Sequence, residues 1–310
     1  MKKGKLLGII VGLILLVFLL YQINITDLTN TLMKISMGAL IFGFILYFLG
    51  YLFRAIRFKV ILNKPVSFLQ LFKVVALHNF FTQVLPARSG EISFIYLLRR
   101  RGFKGSEATA SIFLARFFDL LAVAIIFLFG LFFIQLEGSI KNIYMGLILF
   151  FLIFVALFFI YFKWNEQLFR FFIKFLHLIR VRGEKVLKFI EEANDEVYNF
   201  LKKPRKFILS LFLSLILWII LFILPYYFLI LFGINIGFFT ALVALSLTLL
   251  LALVPIQSFL NLGTYEGIWA LVFMLVGVDK ELAITSGISF HFVFIFYFVI
   301  FALLALIIRE

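Results

Sequence analysis

The sequence predicts an all-α polytopic membrane protein, with six full transmembrane helices and two re-entrant or broken helical hairpins arranged as an inverted repeat, about eight hydrophobic segments in all. Three observations carry that expectation. Of the 310 residues, 65% are apolar and only 14% charged, against about 45–50% and ~25% in soluble domains, so the polar groups could not cover a soluble surface. Long apolar runs recur near the ~20-residue length needed to cross a ~30 Å hydrocarbon core. Two further apolar regions are each interrupted by Pro, Gly and acidic residues at corresponding places. The same arithmetic excludes a disordered chain. The absence of Cys removes thiol catalysis, thiolate metal sites and disulfides.

Taken along the chain, the continuous runs are residues 6–21, 38–53, 108–136, 143–162, 207–232 and 282–308. The first follows Lys2, Lys3 and Lys5 as a signal peptide would, but no small-residue cleavage site comes after it. It therefore reads as a retained span, with cleavage as the alternative. Basic residues set the orientation, because Lys and Arg of short loops stay cytoplasmic. They collect at 2–5, 54–73, 99–104 and 163–206, and these segments together with Arg309 hold all but five of the 29 Lys and Arg. The exceptions are Lys34, Lys141 and Lys280, in nearly neutral loops, and Arg88 and Arg116, at membrane depth. Both termini are thus expected in the cytoplasm, with the chain in the cell membrane. The net charge of +14 is spread over loops rather than gathered in one domain, which argues against a nucleic-acid partner.

Residues 68–98 have cytoplasmic-type basic segments on both sides, so this segment enters the membrane and returns. Its tip is the Pro-Ala-Arg-Ser-Gly-Glu stretch at 86–91. Broken backbone is tolerated at membrane depth only when buried in protein or lining a wet cavity. Residues 238–278, broken by Pro255, Gly263 and Glu266, mirror it from the opposite side; a full span over 237–256 is the rival reading. Within one integral-membrane domain, residues 1–136 then repeat as 137–310, each half running span, span, broken hairpin, span. Glu91 and Arg116 lie 25 residues apart, and so do Glu266 and His291.

Ionisable groups inside a membrane are costly and are the first place to look for function. The set here is Arg88, Glu91, Arg116, Asp119 and Glu266. His78 and His291 are titratable neighbours, and Asn79, Gln83, Gln257, Asn261, Thr264 and Tyr265 are polar partners. Arg116 lies about nine residues into its span, ~14 Å deep at 1.5 Å per residue. It shares a helix face with Asp119 at i, i+3, so the two can pair, either to lock the hairpin to its neighbour or to hold a ligand. Arg88, between Pro86 and Gly90, is the favoured anion ligand, because a guanidinium holds a phosphate through two parallel hydrogen bonds. Half-helix N-termini at the two tips would add positive dipole ends. Two arginines against three carboxylates leave the site close to neutral, or positive if a carboxylate is protonated, which desolvation favours.

No metal-ligand spacing, Walker loop or nucleophile elbow occurs, so no cofactor, metal or enzymatic activity is expected. Residues 163–206 carry eleven Lys/Arg against six acids, with apolar residues at helical spacing from Leu168 to Ile179. They read as a cytoplasmic amphipathic linker on the anionic inner leaflet, with the acidic stretch 191–196 towards solvent.

Residues 78–91, His-Asn-Phe-Phe-Thr-Gln-Val-Leu-Pro-Ala-Arg-Ser-Gly-Glu, resemble a motif of the flippase-like domain family, the transmembrane region of lysylphosphatidylglycerol synthases. The positions that carry the likeness are Asn79, Leu85-Pro86, Arg88, Gly90-Glu91, the basic residues 99–101, and Ala115-Arg116 with Asp119. Arg54 and Arg57 upstream, and Pro255 with Gly263 to Glu266 downstream, fit as well. Two positions depart: the glycine-rich second motif is thinned over 258–263, and His291 stands where the last helix of the family often carries Arg. The resemblance covers essentially the whole chain. It implies translocation of a phosphate-bearing or aminoacyl-phosphate-bearing membrane phospholipid, without the lysyl transfer, which belongs to a separate soluble domain absent from these residues. Arg88 and Arg116 would bind phosphate, while Glu91, Asp119 and Glu266 would hold the arginines or a cationic headgroup. The alternatives are a non-transporting scaffold or partner subunit of a lipid- or glycan-modifying enzyme, a homo-oligomer included, and an integral-membrane lipid transferase.

Overall fold

In hydrocarbon, a helix satisfies its backbone hydrogen bonds within one segment, and the chain folds accordingly. The computed structural model describes residues 13–62, 64–86, 89–134, 140–178, 183–252 and 257–307, which contain helices and no strands. The helices are α1 (Leu13–Tyr21), α2 (Ile25–Met33), α3 (Met37–Ile61), α4 (Phe68–Val84), α5 (Glu91–Arg99), α6 (Gly105–Phe132) and α7 (Ile140–Lys163). They continue with α8 (Asn165–Leu178), α9 (Glu184–Leu201), α10 (Pro204–Phe232), α11 (Phe238–Leu251), α12 (Thr264–Leu275) and α13 (Lys280–Ile307).

Four of them, α3, α6, α10 and α13, are 25–29 residues long and apolar enough to cross a membrane, about 38–44 Å at 1.5 Å per residue. Two bent pairs, α1 with α2 at 97° and α7 with α8 at 96°, raise the number to at most six if each is one span. Neither bend is anticipated by the runs at 6–21 and 143–162. The first forms where the Asn24 side chain accepts the Thr26 N–H at 3.1 Å and so starts α2 in a new direction. Phe113, Phe129, Phe132, Phe292 and Phe296 stay exposed on the bundle's outer faces. That surface suits lipid rather than water.

The two ends of the bundle differ in charge. At one, the Asn24 N–H donates to Glu281 (3.0 Å) and Lys34 Nζ donates to the Phe232 carbonyl (3.0 Å), gathering the nearly neutral loops beside α2, α10 and α13. At the other, Lys64 pairs with Glu107 (2.8 Å) and the Ser106 hydroxyl donates to Glu192 (2.9 Å), gathering basic segments. The acidic stretch 191–196 is therefore partly turned inward. Glu192 holds Ser106, Asn194 accepts from Tyr161 at 2.9 Å, and Val197, Phe200 and Leu201 are buried as α9 packs on α6. Phe171, Phe172 and Phe175 of α8 stay exposed.

Both interrupted regions consist of helices too short to cross alone. α4 and α5 have 17 and 9 residues, and α11 and α12 have 14 and 12, so the longest is about 26 Å. The rival full span over 237–256 meets a helix that ends at Leu251, with residues 253–256 outside those described. α5 runs back along α4: the Phe94 ring lies 5.2 Å from that of His78, and a Cβ on Gly90 would sit 2.2 Å from the Phe81 carbonyl oxygen. Only glycine fits there. α4 starts and α5 ends near the basic end. α11 starts and α12 ends at the other, where they join α10 and α13.

Candidate functional site

Polar side chains from seven helices turn inward to one place within the bundle. On α3, Tyr47, Tyr51 and Arg54 share a face at i, i+4, i+7. Arg54 donates to Asn79 Oδ1 of α4 at 2.7 Å, and the Asn79 amide donates in turn to the hydroxyls of Tyr51 (2.6 Å) and Tyr47 (3.2 Å). Three residues beyond Arg54, Arg57 is 1% exposed and forms an ion pair with Asp119 of α6. It also donates to Ser214 of α10 at 2.8 Å.

Asp119 is the hub. Both Arg57 amino groups, Arg116 (3.5 Å) and the Trp218 indole N–H (2.8 Å) donate to it. Arg116 extends the chain of charges to Glu91, the first residue of α5, with contacts of 2.6 and 3.0 Å. A carboxylate at the first turn of a helix also faces the positive end of the helix dipole.

These groups border a cavity of about 310 Å³, walled by α3, α4, α6, α10, α11, α12 and α13, at the lower end of the range for small-molecule sites. Tyr47, Tyr51, Arg54, Asn79, Arg116 and Asp119 belong to its polar lining. So do Gln83, Thr248, Gln257, Asn261, Thr264 and Tyr265. The two interrupted regions meet here, where the Asn261 amide donates to Gln83 Oε1 at 2.7 Å. Leu260 and Asn261 both have positive φ, 54° and 57°, ahead of Gly263 at 76°. Backbone strain of this kind persists where surrounding structure over-determines it. Here the Ser258 hydroxyl donates to the Leu262 carbonyl, and the Thr264 hydroxyl donates to that of Asn261.

Of the residues singled out in the sequence, Asn79, Gln83, Arg116, Asp119, Gln257, Asn261, Thr264 and Tyr265 line the cavity. Glu91 reaches it through Arg116. Arg88 and Pro255 lie outside the described residues. Glu266 and His291 depart from the single shared site expected: they pair with each other at 2.7 Å, each 2% exposed, and neither lines the cavity. The expected tally of two arginines against three carboxylates is thereby corrected. Among the described residues, Arg54, Arg57 and Arg116 converge with two carboxylates, Asp119 and Glu91, because Glu266 is held by His291 on α13. His78 is a packing residue, 3% exposed and 3.4 Å from the Ser93 hydroxyl.

Sequence reasoning missed Arg54 and Arg57 as site residues by assigning both to a cytoplasmic loop. The signal was present: α3 continues to Ile61, and Arg54 extends the Tyr47–Tyr51 face by one turn. Trp218 and Ser214, at i and i−4 on α10, carried no local signal.

These features define a polytopic helical membrane protein with an internal polar cavity. The chain belongs to the lysylphosphatidylglycerol synthase TM region family, which matches residues 5–303. That membership makes it a membrane protein related to lipid metabolism. No curated protein and no solved structure matches it.

Proposed function

We propose that the protein is a lipid flippase or scramblase, moving a phosphate-bearing headgroup across the cell membrane through the cavity between its two interrupted regions. The observation that carries this reading is the cavity of about 310 Å³, with Arg54, Arg116 and Asp119 facing amides from both regions. A headgroup in transit needs such a lining, and its acyl chains need the apolar wall of Leu221, Leu245, Leu249 and Ile268. Helix pairs entering from opposite ends support an inverted repeat of six spans and two re-entrant hairpins, an arrangement that puts transport sites near the midplane. The basic end supports a cytoplasmic position for that end and for both termini. The exposed Phe residues of α8, among basic neighbours, support contact with the anionic inner leaflet. The reading is of a transporter and not an enzyme, since both cavity carboxylates are bonded to arginines rather than to a nucleophile.

The test is headgroup accessibility of labelled phospholipids to an impermeant quencher in proteoliposomes. Wild type should translocate a phosphate-bearing lipid. Arg54→Ala and Arg116→Ala should slow it about tenfold or more, the equivalent of one lost charge-assisted hydrogen bond. Glu266→Gln, outside the lining, should slow it far less. If no phospholipid moves, the reading fails, and isolation with a stoichiometric partner would make the chain a non-transporting subunit.

A further inference from the structure

Building on the transport reading, we infer that the headgroup is a phosphodiester bearing an uncharged, hydroxyl-rich substituent, and that Arg54 anchors its phosphate. Of the three guanidiniums gathered here, Arg57 and Arg116 are bonded to carboxylates. Among the described residues Arg54 has no carboxylate within ion-pair distance, and its hydrogen bond goes to the neutral Asn79. Asp119 attracts it from further away, and Arg57 and Arg116 repel it. Arg54 therefore presents an uncompensated positive charge on the cavity wall, a place that an anion fills and a cation avoids.

The rest of the polar lining around the second interrupted region is neutral. Gln83, Thr248, Gln257 and Asn261 offer amides and a hydroxyl, and the Asn261 Oδ1 atom is buried without a hydrogen-bond partner. A buried acceptor left open asks for a donor from the ligand, which a hydroxyl supplies. A cationic substituent, such as an aminoacyl ammonium, would need a carboxylate not already held by a cation, and the described surroundings of the cavity offer none: Asp119 accepts from Arg57, Arg116 and Trp218, Glu91 holds Arg116, and Glu266 lies outside the lining, on His291.

Binding of defined lipids to the purified protein in detergent tests this independently of transport. Phosphatidylglycerol, an anionic phosphodiester with two free hydroxyls, should bind about tenfold or more tightly than lysyl-phosphatidylglycerol, the ratio set by one unpaired charge. Its deacylated headgroup, glycerophosphoglycerol, should compete where phosphocholine does not. Arg54→Gln should lower phosphatidylglycerol affinity about tenfold. Asn261→Asp should move the preference towards the lysyl lipid, since Asp tolerates positive φ and Gln83 can turn its amide to donate. Equal or tighter binding of the lysyl lipid by wild type, or unchanged affinity in Arg54→Gln, overturns the assignment. Selective binding without translocation supports the headgroup assignment and removes transport; translocation with the opposite selectivity does the reverse.

Discussion

The two interrupted regions place an acid and a base at the same sequence separation and use them differently. Glu91 and Arg116 sit on short α5 and long α6, with side chains 25% and 37% exposed. Glu266 and His291 sit on short α12 and long α13, each 2% exposed. The first pair is one link of a network through Asp119 to Arg57 and opens on the cavity. The second is a closed clasp between two helices, beside the ring of Tyr265, whose centroid is 4.6 Å from that of His291. Equal spacing therefore does not give equal roles. What separates them is the surroundings: a permanent cation shared between two carboxylates at the cavity, against an imidazole buried with a single partner.

The largest effect expected from breaking this contrast is on the network's hub. Asp119→Ala leaves Arg57 buried without its counter-charge, and thermal unfolding in detergent should show a loss of about 3–5 kcal/mol. A loss no greater than that of the Glu266 variant would mean that the first region is no more networked than the second. Next comes Gly90→Ala, whose Cβ would meet the Phe81 carbonyl oxygen at 2.2 Å. Displacing α5 from α4 should cost about 3 kcal/mol and be visible as poor recovery of monodisperse protein.

Glu266→Gln should be milder, about 1–3 kcal/mol, as a buried charge-assisted bond is weakened. Replacing both Glu266 and His291 by Leu should recover most of that stability, because an apolar pair can replace a buried polar one. Translocation kept by the double variant would confirm the clasp as structural, and its abolition would bring the pair into the transport step. The smallest stability effect belongs to Glu91→Gln, under about 1 kcal/mol for a half-exposed pair. Yet that variant leaves Asp119 as the one carboxylate on Arg116 among the described residues, so the translocation rate should change more than the melting temperature does.

Much of this was legible in the chain. Runs such as 207–232 and 282–308 need only hydropathy, and α10 and α13 follow them closely. The breaks at Pro86 to Glu91 and at Gly263 are local conformational facts, readable wherever proline and glycine interrupt an apolar segment. The division of basic and near-neutral loops is set by counting, and the two ends of the bundle reproduce it.

What the chain alone could not reveal is which polar residues would meet. Arg54 and Arg57 look like the basic flank of a span, and only the fold makes them part of its interior. Burying a guanidinium depends on partners, here Asp119, 62 residues away, and Ser214, 157 residues away. Glu91 and Glu266 show the same limit, since each pairs with a base 25 residues on and their environments are opposite. Sequence determined the membrane, the long apolar helices and the two interrupted regions, because those follow from local apolar length and backbone chemistry. Tertiary structure decided where the uncompensated charge lies, because compensation is a property of neighbours brought together from distant helices.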